Sequence, residues 1–585
     1  MHFKFKCFLS FKFYFKGIGF PRDRIFMQNL KLKLCQLRNK IKPISLGTFN
    51  LLVAVWLGVV LNTGFYEKIN ELTPYHGFKA ALFMAATVCI VIAFYSLIMQ
   101  LFSWKWTAKI FAIILIVIGG FSSYFVNSLG VVITSEQVQN MMQTDVKEVK
   151  DLLSFHLLIW ATSVIILPII VICFIRLKKE STIFKVILKK LIYSIASLAI
   201  VGGLVFSFYI DLAATFREHR DLKGMISPQN TIASTVSYFH KKAPKKNLPL
   251  VIYGEDAHLI EKVDGTKQPK LMVLVVGETA RAESFSLNGY AKNTNPNLSK
   301  QDIINFSQAS SCGTATAVSV PCMFSGMPRK SYDEELASHR EGLLDIAKRA
   351  GYKVTWIDNN SGCKGACDRV EQYEIPKELQ QKWCDSSGEC LDGILVDSLK
   401  HYIDQIPEDD KTPRLVVLHQ MGSHGPAYFK RTTDEFKKFT PTCDTNAIQG
   451  CKPEALINSY DNTILYTDHV LSELIDTLKK NDKYETGFWY LSDHGESTGE
   501  KGLYLHGAPY AIAPSQQTHI PMLMWFSPQW KQSISSELSC LNQKKDQPFS
   551  QDNLFPTMLS LLGINTKVLD PNLNMFNECS AKPRA

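Results

Sequence analysis

Five long apolar runs lie between Ser45 and Ile210: roughly Leu46–Thr63, Ala80–Phe102, Ile110–Leu129, Leu153–Ile175 and Leu191–Ile210. Each approaches the ~20 residues a helix needs to cross the hydrocarbon core of a bilayer. After Ile210 no run of that length recurs in the 585 residues. A cleaved signal peptide accounts for one such run near a chain start, not for five, and a long basic segment precedes the first. Five transmembrane helices followed by a water-facing domain are therefore expected.

Orientation follows from Lys and Arg, which stay on the cytoplasmic side of spans. Lys31, Lys33, Arg38, Lys40 and Lys42 precede the first run, and Arg176, Lys178, Lys179, Lys185, Lys189 and Lys190 join the fourth to the fifth. Both segments are expected to be cytoplasmic. The third connection mixes Glu136, Asp145, Lys147, Glu148, Lys150 and Asp151 without positive bias, which suits the outer side. An odd number of spans then exports everything after Ile210. These basic flanks account for most of the net charge of +10, so no nucleic-acid partner is inferred.

The cysteines test that topology, because disulfides persist in oxidising compartments. Ten of the fourteen follow Ile210. Eight form close pairs in sequence, Cys312 with Cys322, Cys363 with Cys367, Cys384 with Cys390 and Cys443 with Cys451; Cys540 and Cys579 are left over, and whether they pair is open from the sequence. A disulfide framework is expected. The rival, a zinc-thiolate site begun by Cys363 and Cys367, lacks a second half. Cys7, Cys35, Cys89 and Cys173 are expected to be free thiols.

Four regions are expected: a cytoplasmic segment 1–44, a five-helix transmembrane domain 45–210, a juxtamembrane connector 211–250 and an exported domain 251–585. The connector mixes basic and aromatic residues (Arg217, Arg220, Lys223, Tyr238, Phe239, Lys241, Lys242), as suits a headgroup layer. From Leu271 short β-rich runs (Leu271–Val276, Lys353–Ile357, Arg414–Leu418, Phe488–Leu491, Pro521–Phe526) alternate with helical stretches such as Gly342–Ala350 and Ala455–Lys480. That alternation predicts an α/β domain with a largely parallel sheet.

In such sheets ligands bind beyond the carboxyl ends of the strands. Four runs end there in Glu278, Asp358, His419 with His424, and Asp493 with His494. Carboxylates and imidazoles on a shared rim suit a divalent metal, zinc first and manganese second. The segment Ser311-Cys-Gly-Thr-Ala-Thr-Ala-Val-Ser-Val-Pro-Cys322 reads as a turn opening a helix, whose N-terminus favours an alkoxide or phosphoryl group. Helix capping is the plain role for Thr314 and Thr316; beside a metal rim, one of them becomes a nucleophile.

Gly277-Glu-Thr-Ala-Arg281, the Cys-Gly-Thr-x-Thr-Ala segment with its Ser-Val-Pro-Cys-Met-Phe sequel, Asp358-Asn-Asn-Ser361, Ser423-His-Gly-Pro426 and Ser492-Asp-His-Gly-Glu-Ser497 together resemble the lipid A phosphoethanolamine transferases, which include the mobile colistin-resistance enzymes. The resemblance implies an alkaline-phosphatase/sulfatase-like periplasmic α/β domain behind a multi-pass α-helical membrane domain. It implies Zn2+ held by Glu278, Asp493 and His494 together with Thr316, the nucleophile. Asn360, Lys364, His424 and His506 fall on its phosphoethanolamine-binding or second-metal positions. Asn140, Thr144 and Glu148, spaced by four and so expected to share one helix face, fall on its membrane-side substrate-binding stretch.

The implied reaction moves phosphoethanolamine from phosphatidylethanolamine to a lipid A phosphate through a phosphoethanolamine–threonine intermediate. Polymyxin resistance would follow. The implied setting is a monomer in the bacterial inner membrane. Transfer to core sugars of lipopolysaccharide, and glycerol-phosphate transfer or hydrolysis on the same fold, are the alternatives.

Overall fold

The computed structural model describes residues 41–577 and 579, except 74, 145, 179–181, 210, 211, 213, 214, 217, 218, 220, 221, 242–247, 261–267 and 387. The expected cytoplasmic segment up to residue 40, with Lys31, Lys33, Arg38, Lys40, Cys7 and Cys35, lies outside the described residues. So do Asp145, Lys179, Arg217, Arg220 and Lys242, and the side chains of Lys147, Glu148 and Lys241. The described residues form two compact units. One runs to Tyr124 and resumes over Ile159–Thr231; the other joins Phe125–Leu158 to everything from Ile232 onward.

In the described residues five helices are long and apolar enough to cross a membrane: Leu46–Leu72, Phe78–Phe102, Ala108–Leu129, Phe155–Phe174 and Ile183–Ser207. All five expected runs are present. The fifth helix starts ahead of its apolar run, so Lys185, Lys189 and Lys190 lie on its opening turns rather than in a connection. Lys190 uses its long stem to reach the Ser103 carbonyl at 2.8 Å and the face of Trp104 at 4.0 Å. Buried polar groups in the first unit pair internally: the Asn50 amide donates to Gln100 Oε1 at 2.9 Å, and the Tyr95 hydroxyl to the Ser227 carbonyl at 2.7 Å.

The second unit is built on an eight-stranded sheet. Its strands are β1 (Lys270–Gly277), β2 (Ile304–Ser310), β3 (Lys353–Asp358), β4 (Glu371–Gln372), β5 (Arg414–His419), β6 (Glu485–Ser492), β7 (His519–Phe526) and β8 (Phe549–Ser550). The spatial order is β8-β2-β7-β6-β1-β5-β3-β4. Only β7 runs antiparallel to its neighbours. Five strands match the expected runs, whereas β2, sequence Ile-Asn-Phe-Ser-Gln-Ala-Ser, carries too few apolar residues to stand out.

β1, β5 and β6 are buried almost throughout, which explains their unbroken apolar runs. Met272, Leu274 and Val276 of β1 share a core with Val320, Met323, Leu343, Leu554 and Trp530 from helices laid on the sheet. The long helix Pro453–Lys479 packs on β6. The second unit holds five disulfides, 312–322, 363–367, 384–390, 443–451 and 540–579. The Cys363–Cys367 bridge removes the zinc-thiolate alternative, and Cys89 and Cys173 are free.

Candidate active site

Sheet register builds the site. Gly277 of β1 lies opposite Ser492 of β6, and Val276 opposite His419 of β5, so the residues that follow these strands emerge at one level. Glu278 thereby meets Asp493 and His494, all three almost completely buried, with one ligand atom from each lying within 4.8 Å of the others. Gly422, at φ +53°, lets the loop after β5 cross Glu278; a Cβ there would stand 2.5 Å from the Glu278 carbonyl oxygen.

Thr316 opens the helix Thr316–Ser325 and points into this group. Its Oγ1 donates to Glu278 Oε2 at 3.1 Å and lies 3.3 Å from His494 Nε2. Thr314, by contrast, donates to the Ala508 carbonyl at 2.6 Å and holds a loop. The geometry thus separates the two threonines in the way the family resemblance implied, with Thr316 at the cluster and Thr314 outside it.

These residues fit a divalent cation. Asp493 Oδ1 accepts from the His494 and Thr279 amides at 2.7 and 3.2 Å, while its buried Oδ2 has no hydrogen-bond partner among the described residues. His494 Nδ1 lies 2.9 Å from the Gly495 carbonyl, which fixes the proton there and leaves the Nε2 lone pair facing Asp493 Oδ2 at 3.3 Å. Burial pulls this imidazole below its ordinary pKa, into the neutral form a ligand requires. Two buried carboxylates side by side call for a positive charge between them.

The remaining candidates fall into two groups. Asn360 donates to Glu278 Oε2 at 2.8 Å and to the Gln420 carbonyl at 2.7 Å, so it belongs to the cluster. The His506 ring centre lies 4.4 Å from that of His494, tilted against it, and 5.5 Å from that of His424, edge-on to it, so the three imidazoles form a row. Its Nδ1 bonds Glu496 at 2.8 Å, and Glu496 also accepts from the Tyr428 hydroxyl at 2.7 Å. Burial, then the neighbouring His506 and Arg431, pull His424 well below the ordinary histidine range. Lys364, at φ +51°, donates to Ser361 Oγ at 2.8 Å and reaches the Gln143 carbonyl at 3.5 Å.

Asp358 and His419, also at strand ends, pair with each other at 2.7 Å rather than joining the cluster. Burial, the largest single influence, pushes the Asp358 carboxyl up, but the hydrogen bond and charge of His419 together with hydrogen bonds from Trp356 and the Gly362 amide outweigh it and hold the group below the ordinary carboxylate value.

One expectation is corrected. Asn140, Thr144 and Glu148 do not share the face of one helix, because Ser135–Gln143 ends before Thr144 and a separate short helix, Val146–Asp151, follows. The Thr144 hydroxyl bonds the Asn140 carbonyl at 2.6 Å while its backbone turns extended, a local bond that competes with helix continuation.

Sequence reasoning missed two supports. Gln551 accepts from the Cys312 amide at 2.7 Å and donates to the Asp493 carbonyl at 2.7 Å, joining the Thr316 turn to the ligand loop. Arg431 bonds buried Asp151 at 2.5 Å, Glu389 at 3.2 Å and the His424 carbonyl at 3.1 Å. Asp151 had entered only a charge count, and a single glutamine in a loop has no pattern to betray it.

A family model described as Sulfatase matches residues 270–564, half of the chain. Sheet, helix-borne threonine and strand-end carboxylates thus define the second unit as a sulfatase-type α/β domain. Residues 91–243 match a model described as Phosphoethanolamine transferase EptA/EptB. Phosphoethanolamine transferase EptA of Escherichia coli is 40% identical over 546 residues, 92% of this chain and 98% of that one. Phosphatidylethanolamine transferase Mcr-1, also of Escherichia coli, is 35% identical over 534 residues, 88% and 95% of the two chains. The solved integral membrane lipooligosaccharide phosphoethanolamine transferase A (EptA) of Neisseria meningitidis is 34% identical, with TM-score 0.87 over 92% of this chain and 99% of that one. The chain belongs to the EptA/EptB family of phosphoethanolamine transferases.

Proposed function

We propose that this enzyme takes phosphoethanolamine from phosphatidylethanolamine and places it on a phosphate of lipid A by way of Thr316. The observation that carries this reading is the Thr316 hydroxyl within hydrogen-bond reach of both Glu278 and His494, inside a buried group suited to a cation.

Glu278, Asp493 and His494 would hold zinc, with manganese the second choice. Bound there, zinc supplies Lewis-acid stabilisation of developing negative charge and lowers the pKa of a nearby hydroxyl. Thr316 Oγ1 attacks the donor phosphorus, the bond from phosphorus to the glycerol oxygen breaks, and diacylglycerol leaves after gaining a proton. Glu278 Oε2 accepts a hydrogen bond from the Thr316 hydroxyl and so stands where that proton can be taken up. The phosphoethanolamine ester on Thr316 then reacts with an acceptor phosphate oxygen, and Thr316 regains its proton. His424 and His506 face the transferred phosphoryl oxygens, bringing and removing protons, Lys364 adds positive charge for the substrate phosphates, and Asn360 fixes Glu278. Asn140, Thr144 and Glu148 lie on the approach of the lipid substrates.

The protein works as a monomer in the inner membrane, with the five helices of residues 45–210 as anchor, 211–250 as connector and 251–585 as catalytic domain in the periplasm, to which the segment Phe125–Leu158 of the anchor is packed as part of the same compact unit. The five disulfides support an oxidising compartment for that domain. A phosphoethanolamine ammonium over a lipid A phosphate weakens attraction for cationic peptides, so polymyxin resistance follows.

The test is a lipid A mass spectrum from a polymyxin-sensitive Gram-negative host carrying the intact chain or Thr316→Ala. A phosphoethanolamine increment only with Thr316 intact is expected. An increment that survives Thr316→Ala removes the nucleophile; free phosphoethanolamine in place of tagged lipid turns the reading to hydrolysis.

A further inference from the structure

A second polar hollow of about 110 Å³ opens within the catalytic unit, beside a different face of the nucleophile helix. Ala317, Pro321 and Phe324 line it, and at ~100° per residue these share a face about a quarter-turn around from Thr316. Opposite them stand Tyr332, Arg340 and Lys364, with Gln139 and Gln143 from the helix Ser135–Gln143.

This hollow has donors without acceptors. Among the described residues the Tyr332 hydroxyl and Arg340 Nε are buried and make no hydrogen bond. Arg340 Nη2 donates to the Ser325 carbonyl at 2.6 Å and its guanidinium lies 4.0 Å over the Tyr253 ring, but no carboxylate pairs with it. Arg369, also in the wall, is neutralised by Asp345 through two bonds of 2.7 Å. Glu334 is the one carboxylate among the lining residues, and it accepts from Gln139 at 2.7 Å. Arg340 and Lys364 therefore leave an excess of positive charge, in a half-buried setting where an unpaired guanidinium is costly.

We propose that this hollow is an anion subsite for a phosphate monoester group of the acceptor lipid. The inference rests on the reading of Thr316 as the transfer residue. A tetrahedral phosphate accepts from several directions at once, as a phenol, a guanidinium and an ammonium converging on a small volume require. The apolar wall suits a group carried on a lipid. The donor has one phosphoryl group and must place it on Thr316, so a phosphate recognised off to the side belongs to a molecule with at least two. The site thus holds the acceptor phosphate that is not being modified, and favours acceptors that keep both.

The test uses the full chain in mixed micelles, with Arg340→Gln and the milder Tyr332→Phe. Donor turnover without acceptor, read as diacylglycerol release and the mass adduct on Thr316, is expected to stay within about twofold of the intact enzyme. KM for a bis-phosphorylated lipid A acceptor is expected to rise about tenfold in Arg340→Gln, and the preference over a mono-phosphorylated acceptor to vanish. Retained preference, or an equal fall in the donor step, overturns the subsite.

A second measurement separates this inference from the nucleophile assignment. Inorganic phosphate should raise the Tm of the intact chain and of Thr316→Ala alike, and should do so by less than half as much in Arg340→Gln. A full shift in Arg340→Gln means that the hollow holds only water, whatever Thr316 does.

Discussion

The helix Ile183–Ser207 and the strand β1 are made of the same kinds of residue and stand in opposite surroundings. In β1 seven of eight residues are buried, whereas only 11% of the most apolar window of the helix is. Leu191, Ile192, Ile195 and Leu198 are each more than half exposed. Apolar content alone does not say which side of a surface a residue occupies; the solvent decides. One unit turns leucine and isoleucine outward because its solvent is hydrocarbon, while the other hides them and collects its polar groups at the strand ends.

The sharpest way to break this contrast is at the strand ends. Thr316→Ala is expected to lower transfer by at least ~10³-fold without changing the Tm of the catalytic unit by more than a few degrees, measured by lipid analysis and calorimetry. Stripping metal with a chelator should abolish activity and also lower that Tm, because Glu278 and Asp493 would be left as neighbouring buried charges. A chelated protein that keeps its Tm would argue against a resident cation.

Next in size is Ile195→Lys. On a watery surface such a change stays within ~0.5 kcal/mol; on a lipid-facing helix it costs ~3 kcal/mol. Loss of membrane-inserted protein in fractionation is expected, and normal insertion would place that face in water. Replacing both Cys443 and Cys451 by serine should lower the stability of the catalytic unit by ~2 to 3 kcal/mol, seen as an earlier urea midpoint, and leave the membrane helices unaffected.

The last effect concerns Asp468 and shows only in its dependence on pH. Burial raises its carboxyl from 3.8 to about 6 even though the Asn297 and Leu298 amides donate to it. Because the folded state keeps this proton longer than the unfolded state, stability falls as pH rises from about 4 to 6 and then levels. Asp468→Asn should flatten that fall, and a pH series of urea midpoints checks it.

What the sequence made legible was whatever repeats or lengthens. The five spans announce themselves by length, and the strand-end residues by following runs that only a buried strand tolerates. The placement of Lys185, Lys189 and Lys190 on a helix was not legible, since a charge near a span reads equally well as loop or first turn. The break at Thr144 was hidden because the spacing of three residues by four is the same whether or not the backbone turns between them. Gln551 and Asp151 were hidden because their partners lie far away in sequence: Gln551 meets Cys312, and Asp151 meets Lys430 and Arg431.

The pairing of Asp151 with Lys430 and Arg431 bears on how the catalytic half can be cut out for separate work. Residues 159–231 intervene between Phe125–Leu158 and the rest of that unit, so no uninterrupted fragment contains the unit without also carrying the fourth and fifth apolar helices. A fragment begun after the last helix would leave Lys430 and Arg431 sharing Glu389 alone. Arg431 is also the side chain that grips the His424 carbonyl. Such a fragment keeps Glu278, Thr316, Asp493 and His494 yet loses the Asp151 anchor of the arginine that holds the His424 loop, so rates measured on it are expected to fall below those of the full chain.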